Sequence, residues 1–230
     1  MDDKIETTLR SLQARHHNAI FAKNLQDAVM KILDIIPVAA VVGTGNSTTV
    51  AQLGLCEALK KRGTTLIDAF ERGGRVHSSA KEILETRNKI VTQSTLCDVF
   101  LTGSNAITQD GRLVNVDAMG NRVAGMFWGH PISIIIVGKN KVVKNLNEAF
   151  HSIRKIIAPN HIRIRQVELG GRGRSNDKVG KQIDLITMAG HLWFYAVFSL
   201  ARFSQSECNS VSVMNCPRDE SGLRTFSDRI

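Results

Sequence analysis

The sequence predicts an α/β fold: an open, mostly parallel sheet flanked by helices, with one inserted antiparallel element. Three observations lead there. Short β-branched runs closed by glycine, "VAAVVG" (38–43), "DVFLTG" (98–103) and "ISIIIVG" (132–138), have the continuous apolar character of strands buried on both faces. Segments of helical periodicity alternate with them, as a parallel sheet requires. Asp110-Gly111, inside "TQDGRLVNV", is a hairpin signal that places an antiparallel pair in an otherwise parallel series.

Taken in order, residues 3–33 read as helical, with Leu25, Ala28, Val29, Ile32 and Ile36 recurring at three- and four-residue spacing. The strand at 38–43 comes next. "NSTTVAQLGLCEALKKRG" (46–63) then reads as a helix capped by Ser47 or Thr48, striped by Val50, Leu53, Leu55 and Leu59, and stopped by Gly63. "TTLIDAF" (64–70) reads as a second strand, and 78–95 as a helix with Ser78 or Ser79 at its N-cap. Strands follow at 98–103, 113–117 and 132–138. A helix over 145–159 has Pro159 just past its end.

Beyond about residue 165 the character changes. "ELGGRGRSNDKVGKQ" is a glycine-rich polar linker. "LITMAGHLWFYAVFSLARF" (185–203) is apolar, yet short for a membrane span and interrupted by His191, so it reads as a core or interface helix. A polar, irregular tail ends the chain. The expected division is an α/β domain over 1–165 and a divergent C-terminal segment over 166–230.

Apolar residues make up 43% and charged residues 22% of the 230, ordinary for a globular chain able to bury a sizeable core. The net charge of +9 is spread along the chain, with a modest cluster at Arg163, Arg165, Arg172 and Arg174. Without interleaved aromatics it does not read as a nucleic-acid surface; attraction of a small anion suits it better. Cys56 and Cys97 read as buried thiols, and no disulfide framework is recognisable among four cysteines. His16 and His17 read as solvated. His77, His130, His151, His161 and His191 lack zinc-ligand spacing, and Cys208 and Cys216 have no second pair, so no metal site is expected. The acidic, polar start is unlike a signal peptide, which points to the cytoplasm.

Two stretches can carry chemistry. In "VVGTGNSTTVAQLG" (41–54), Gly43 and Gly45 allow close approach of a ligand, and Asn46, Ser47 and Thr48 offer N–H and hydroxyl groups to an anion. A tight strand-to-helix turn with a hydroxyl cap explains the same residues. In "SNAITQDGRLVNVDAMGNRVAGMFWG" (104–129), Asn105, Gly120, Asn121 and Arg122 would line the carboxyl ends of parallel strands, with Arg122 as an anion clamp. Asp117 is the catalytic candidate there, as a base or as the acceptor that orients Arg122. It has no partner histidine or second carboxylate in its motif, so the catalytic group is left unassigned. The alternative is a polar network tying a hairpin to the sheet.

These two blocks, together with "IIIVGKNKVVKNLNEAFHSIRKIIAPNHIRI", resemble the LUD (lactate utilisation) domain family, in the group that includes lactate utilization protein C. The match covers about residues 20–165, and its specificity lies in the long G-S-N-A-I-T…D-G-x-L-x-N-V-D…G-N-R-V-A block. The resemblance implies the fold of the phosphosugar isomerase and CoA-transferase superfamily. It also implies a part in oxidation of L-lactate to pyruvate, with a small anionic metabolite as ligand and iron–sulfur proteins as partners. A homo-oligomer is compatible by analogy. Two other functions stay open: a stand-alone enzyme acting on a phosphorylated or CoA-linked metabolite, and a non-catalytic assembly subunit. No Glu lies in either cleft block, and Glu57 and Glu71 lie on the wrong elements, which disfavours a CoA-transferase nucleophile. Relatives continue past the A-P-N segment into a cysteine-rich stretch and a final strand. Here the chain departs after Asn160, through a divergent tail or an altered reading frame. Cofactors are therefore expected in the partners, not in this chain. A missing final strand would leave a sheet edge unpaired.

Overall fold

The computed structural model describes residues 2–68, 80–117, 120–127, 130–160, 196–198 and 209–214. Six strands form one wholly parallel sheet in the order β1-β10-β7-β4-β2-β3. These are β1 (Asn18–Ala22), β2 (Val41–Thr44), β3 (Thr65–Ile67), β4 (Val99–Gly103), β7 (Ile132–Gly138) and β10 (Asn209–Met214). A second, mixed sheet has the order β8-β5-β6-β9, from β5 (Ala106–Thr108), β6 (Leu113–Asn115), β8 (Val142–Val143) and β9 (Ala196–Phe198). The helices are α1 (Asp3–Ala14), α2 (Leu25–Ile35), α3 (Thr48–Gln52), α4 (Leu55–Lys61), α5 (Ala80–Ser94), α6 (Asn121–Phe127) and α7 (Leu146–Ser152). This is the α/β class that the alternation of apolar runs and amphipathic stretches predicts.

β7 shows why "ISIIIVG" must be apolar throughout. Successive side chains leave a strand on opposite faces. Ile134 and Ile136 therefore join Val42, Val99 and Leu101 against Ile32, Val50, Leu55 and Leu59 of α2, α3 and α4. Ile135 and Val137 point the other way, into a second core with Ile5, Leu9 and Leu12 of α1 and Met126 of α6. Each such fully buried aliphatic side chain contributes about 1.5–3 kcal/mol of transfer free energy.

The inserted element is the β5–β6 hairpin, antiparallel with Ala106 opposite Val114. Gly111 takes φ +81 in its turn, where Thr108 N–H donates to the Arg112 carbonyl at 2.9 Å and Gly111 N–H to that of Thr108 at 2.9 Å. Ile107 and Leu113 face the α1 core, while Ala106 and Val114 face Ala149 and Ile153 beyond. The hairpin is thus a layer between α1 and α7.

Several expectations need correction. Residues 3–33 are not one helical region: α1 stops at Ala14, and β1 precedes α2. A Schellman motif ends α1, with His16 N–H on the Gln13 carbonyl (2.9 Å) and His17 N–H on that of Leu12 (3.0 Å). His16 takes the left-handed position (φ 63) that glycine usually fills, which hid the stop. His17 is buried, not solvated. The 46–63 helix is broken at Gly54 into α3 and α4. Strand 113–117 ends at Asn115, and 64–70 is a strand over Thr65–Ile67. The last helix does not end before Pro159. It runs through a π-helical turn, Ile153–Ile157, and stays helical to Asn160. Pro159 has no N–H to give to Lys155, and its ring crowds that carbonyl; the wider turn, with Ala158 N–H on the Ile153 carbonyl, accommodates both.

Within the C-terminal segment, 196–198 is a strand where a helix was expected, and 209–214 is a strand inside the expected irregular tail. β10 lies between β1 and β7 and pairs with both. Ser78, Ser79, Glu71, the 168–182 linker, the rest of 185–203, the arginine cluster, Cys208 and Cys216 lie outside the described residues. Cys56 and Cys97 are half-buried rather than buried, and neither is in a disulfide. Among the described residues no helix is long and apolar enough to cross a membrane.

Burial, then the positive charges of Arg15 and His16, push the His17 imidazole below its ordinary value of 6.5. The unfolded chain then binds the proton more readily, so stability is full above that value and is lost as pH falls below it. Denaturant titrations from pH 7.5 down to 5 should show this loss, and His17→Leu should flatten that part of the profile.

Candidate functional site

The sheet order creates a crevice. From β2 the chain leaves through α3 and α4 to β3 on one side, whereas β4 pairs with the other edge of β2. Connections that diverge from neighbouring parallel strands open a gap at their carboxyl ends, where such folds bind ligands. Three segments meet there: the Gly45–Thr49 turn after β2, Thr102–Asn105 at the end of β4, and a 3₁₀ turn, Lys139–Lys141, after β7.

Arg122, on the first turn of α6, organises the crevice. Its Nε donates to Asp117 Oδ1 at 2.8 Å, and its Nη2 lies 2.7 Å from the same oxygen. Nη2 also donates to Asn105 Oδ1 (2.5 Å) and to the Val116 carbonyl (2.8 Å). Asp117 Oδ2 accepts the Val123 N–H at 2.7 Å, which satisfies one of the donors that the start of α6 leaves unpaired. Asn105 Oδ1 accepts the Val116 N–H (2.9 Å), and Asn105 N–H donates to Asn115 Oδ1 (3.2 Å). The polar network read as the alternative for this stretch is therefore present. Nη1 of Arg122 donates to none of the described residues.

The glycine turn approaches this network closely. A Cβ on Gly45 would sit 2.7 Å from Thr102 Oγ1 and 3.1 Å from Arg122 Cγ, so only glycine fits between them. Ser47, not Thr48, caps α3, accepting the Val50 N–H at 3.4 Å, and its hydroxyl lies over Gly103. Asn46 is half-buried and Thr48 exposed beside it; Gly120 and Asn121 lie where α6 begins. Gly43 is elsewhere. A Cβ there would meet the Ser94 carbonyl oxygen at 1.9 Å and Cys97 Sγ at 2.8 Å. Its glycine is accounted for by α5 packing over β2.

One side chain escaped the sequence reading. Lys141 reaches back from the turn after β7, and its Nζ donates to Thr49 Oγ1 at 3.1 Å. Burial, then the positive charge of Arg122, pushes this amine down to about 8. Among the described residues no carboxylate pairs with it. No motif marks Lys141; strand adjacency alone brings it to the crevice. Asn115 is wholly buried, and its Nδ2 has no partner among the described residues. Its amide orientation is fixed because Oδ1 must accept the Asn105 N–H.

Cys97 Sγ lies 3.7 Å from His130 Nδ1, away from the crevice. Burial pushes this thiol up to about 11, the opposite of an activated nucleophile. Among the described residues no group of three or more His, Cys, Asp or Glu could hold a metal ion.

The family model described as LUD domain matches residues 5–169. No curated protein matches the chain. A crystal structure of a DUF162 family protein from Deinococcus radiodurans, at 1.70 Å resolution, is similar in fold with a TM-score of 0.50. The two share 9% identity over 93% of this chain and 97% of that one.

Asp117→Asn should leave the buried guanidinium without its counter-charge and destabilise the protein by about 3–5 kcal/mol in equilibrium unfolding. Gly43→Ala should cost about 3 kcal/mol by forcing α5 away from β2, with no effect specific to ligand.

Proposed function

From the premise that the chain belongs to the LUD domain family, we propose that it binds a small anionic metabolite in L-lactate utilisation, beside iron–sulfur partner proteins. Lactate, pyruvate or a related anion would sit between Arg122 and Lys141. One observation carries this reading: two cationic side chains converge on the crevice, and Asp117 neutralises only one of them. Like charges held together at partial burial cost free energy that an anion between them recovers.

Arg122 Nη1 and the remaining Nζ donors of Lys141 would hold the anionic group. Asn46, in the turn after β2, and Asn121, at the start of α6, would add amide groups to the same site. Asp117 has a positioning role here, since both its oxygens are engaged by Arg122 and by α6. No Glu stands at the described crevice residues, in keeping with binding rather than carboxylate nucleophilic chemistry.

Thermal-shift measurements on the purified chain, with lactate, pyruvate, sugar phosphates, CoA esters and nucleotides, test this. A ligand at about a hundred times its Kd adds about 2.7 kcal/mol to the unfolding free energy. That gain should vanish in Lys141→Met, a better probe than Arg122→Ala because Arg122 also holds α6 in place. The pH dependence has a definite sign. Without ligand the lowered amine makes stability rise with pH between about 8 and the unfolded value of 10.5. Anion binding favours the charged amine, so affinity should fall as pH rises above about 8. Absence of a shift with every compound, from a cooperatively unfolding protein, would refute the binding reading.

A further inference from the structure

We propose that Lys141 is a nucleophile that forms an imine with small oxo acids whose anionic group is held by Arg122. This rests on the anion-binding reading above and adds a covalent step to it.

The geometry carries the inference. Lys141 follows β7, the strand next to β4, and its Nζ is anchored on Thr49 Oγ1 at 3.1 Å. Thr49 is buried at the start of α3, directly after the turn in which Gly45 packs against Thr102 and Arg122. The amine is thereby held at the crevice instead of ranging through solvent as an exposed lysine does. Arg122, on α6, is close enough for its charge to act on this amine. The carboxylate nearest to Arg122, that of Asp117, is engaged by the guanidinium and by the Val123 N–H. Lys139, on the same turn as Lys141, is exposed.

A molecule that satisfies both groups has an anionic end for the guanidinium and an electrophilic carbon within reach of the amine. A 2-oxo acid is the smallest carbon skeleton with both, its carbonyl adjoining its carboxylate. Burial and the charge of Arg122 hold the amine at about 8, so a useful fraction is uncharged near neutral pH, where an ordinary lysine is almost wholly protonated.

The step balances with nothing added. The Nζ lone pair attacks the carbonyl carbon, and the C=O π electrons move to oxygen, which is protonated to give a carbinolamine. Loss of that hydroxyl with a proton from nitrogen releases water and leaves the C=N bond. The reaction is reversible and involves no net oxidation.

The test is reductive trapping. The full chain is incubated with pyruvate, glyoxylate or 2-oxoglutarate and cyanoborohydride, then analysed by intact mass and peptide mapping. The expected product is a single adduct on Lys141, heavier by the oxo acid less one oxygen atom. It should be lost in Lys141→Arg and retained in Lys61→Arg, an exposed lysine of α4. Acetone, which lacks the carboxylate, should label at least tenfold more slowly. The trapping rate should fall as pH drops from 8 to 6, since the charged amine cannot attack. Labelling scattered over surface lysines, or none at Lys141, would overturn the proposal. A parallel thermal shift with lactate, which has no carbonyl to attack, separates the two readings. A lactate shift without an adduct refutes only the covalent step; neither signal refutes the anion site as well.

Discussion

One buried ion pair holds the wall of the crevice together, because Asp117 and Arg122 tie three elements to one another. Asp117 lies just past the β5–β6 hairpin, Arg122 begins α6, and Asn105 joins both to the end of β4. Replacing such a pair with apolar residues of equal volume is often neutral, so the pair is weak evidence for stability as such. What it supplies is position. The guanidinium has three directional bonds on Nε and Nη2, and these leave Nη1 uncommitted among the described residues. Close packing of Gly45 on Arg122 Cγ then sets how near the glycine turn can come. The same residues that tie the hairpin to the sheet thereby shape the opening, so the structural and functional readings of the 104–129 stretch are not rivals.

The legible parts of the fold are those whose local chemistry has one solution. "ISIIIVG" must be doubly buried, and Asp110-Gly111 must turn. The missed parts are those where tertiary context replaced the usual signal. β1 reads as part of one helical region because histidine, not glycine, closes α1. β10 reads as an irregular tail because "NSVSVM" alternates serine with valine, whereas strands buried in a parallel sheet are commonly continuous apolar runs. Its place between two strands, not its own composition, makes it a strand.

The candidate site divides in the same way. Arg122, Asp117, Asn105 and Gly45 were legible because a long polar block at a strand end has few structural explanations, and the structure brings these four together. Gly43 was grouped with Gly45 by the sequence, yet it answers to α5. Asn115 lies in the same polar block, ten residues from the Asn105 it meets. Lys141 carries no local signal, and it matters through Thr49, a neighbour that is distant in the chain. A single sequence does not display such adjacency until the strand order is known.

β10 also has a consequence for the birth of the protein. Its partners β1 and β7 come from residues 18–22 and 132–138, and it pairs with them from residues 209–214. During synthesis the first strand emerges long before the strand that covers it, and the main sheet stays split until residues 209–214 have emerged. Nearly two hundred residues separate Ala22 from its partner Met214, so this closure has a high contact order and comes late. Until then β1 and β7 present bare edges, the kind of surface that trigger-type chaperones shield and that drives association between nascent chains. A ribosome that stops early would release a polypeptide with its crevice assembled and its sheet in two pieces.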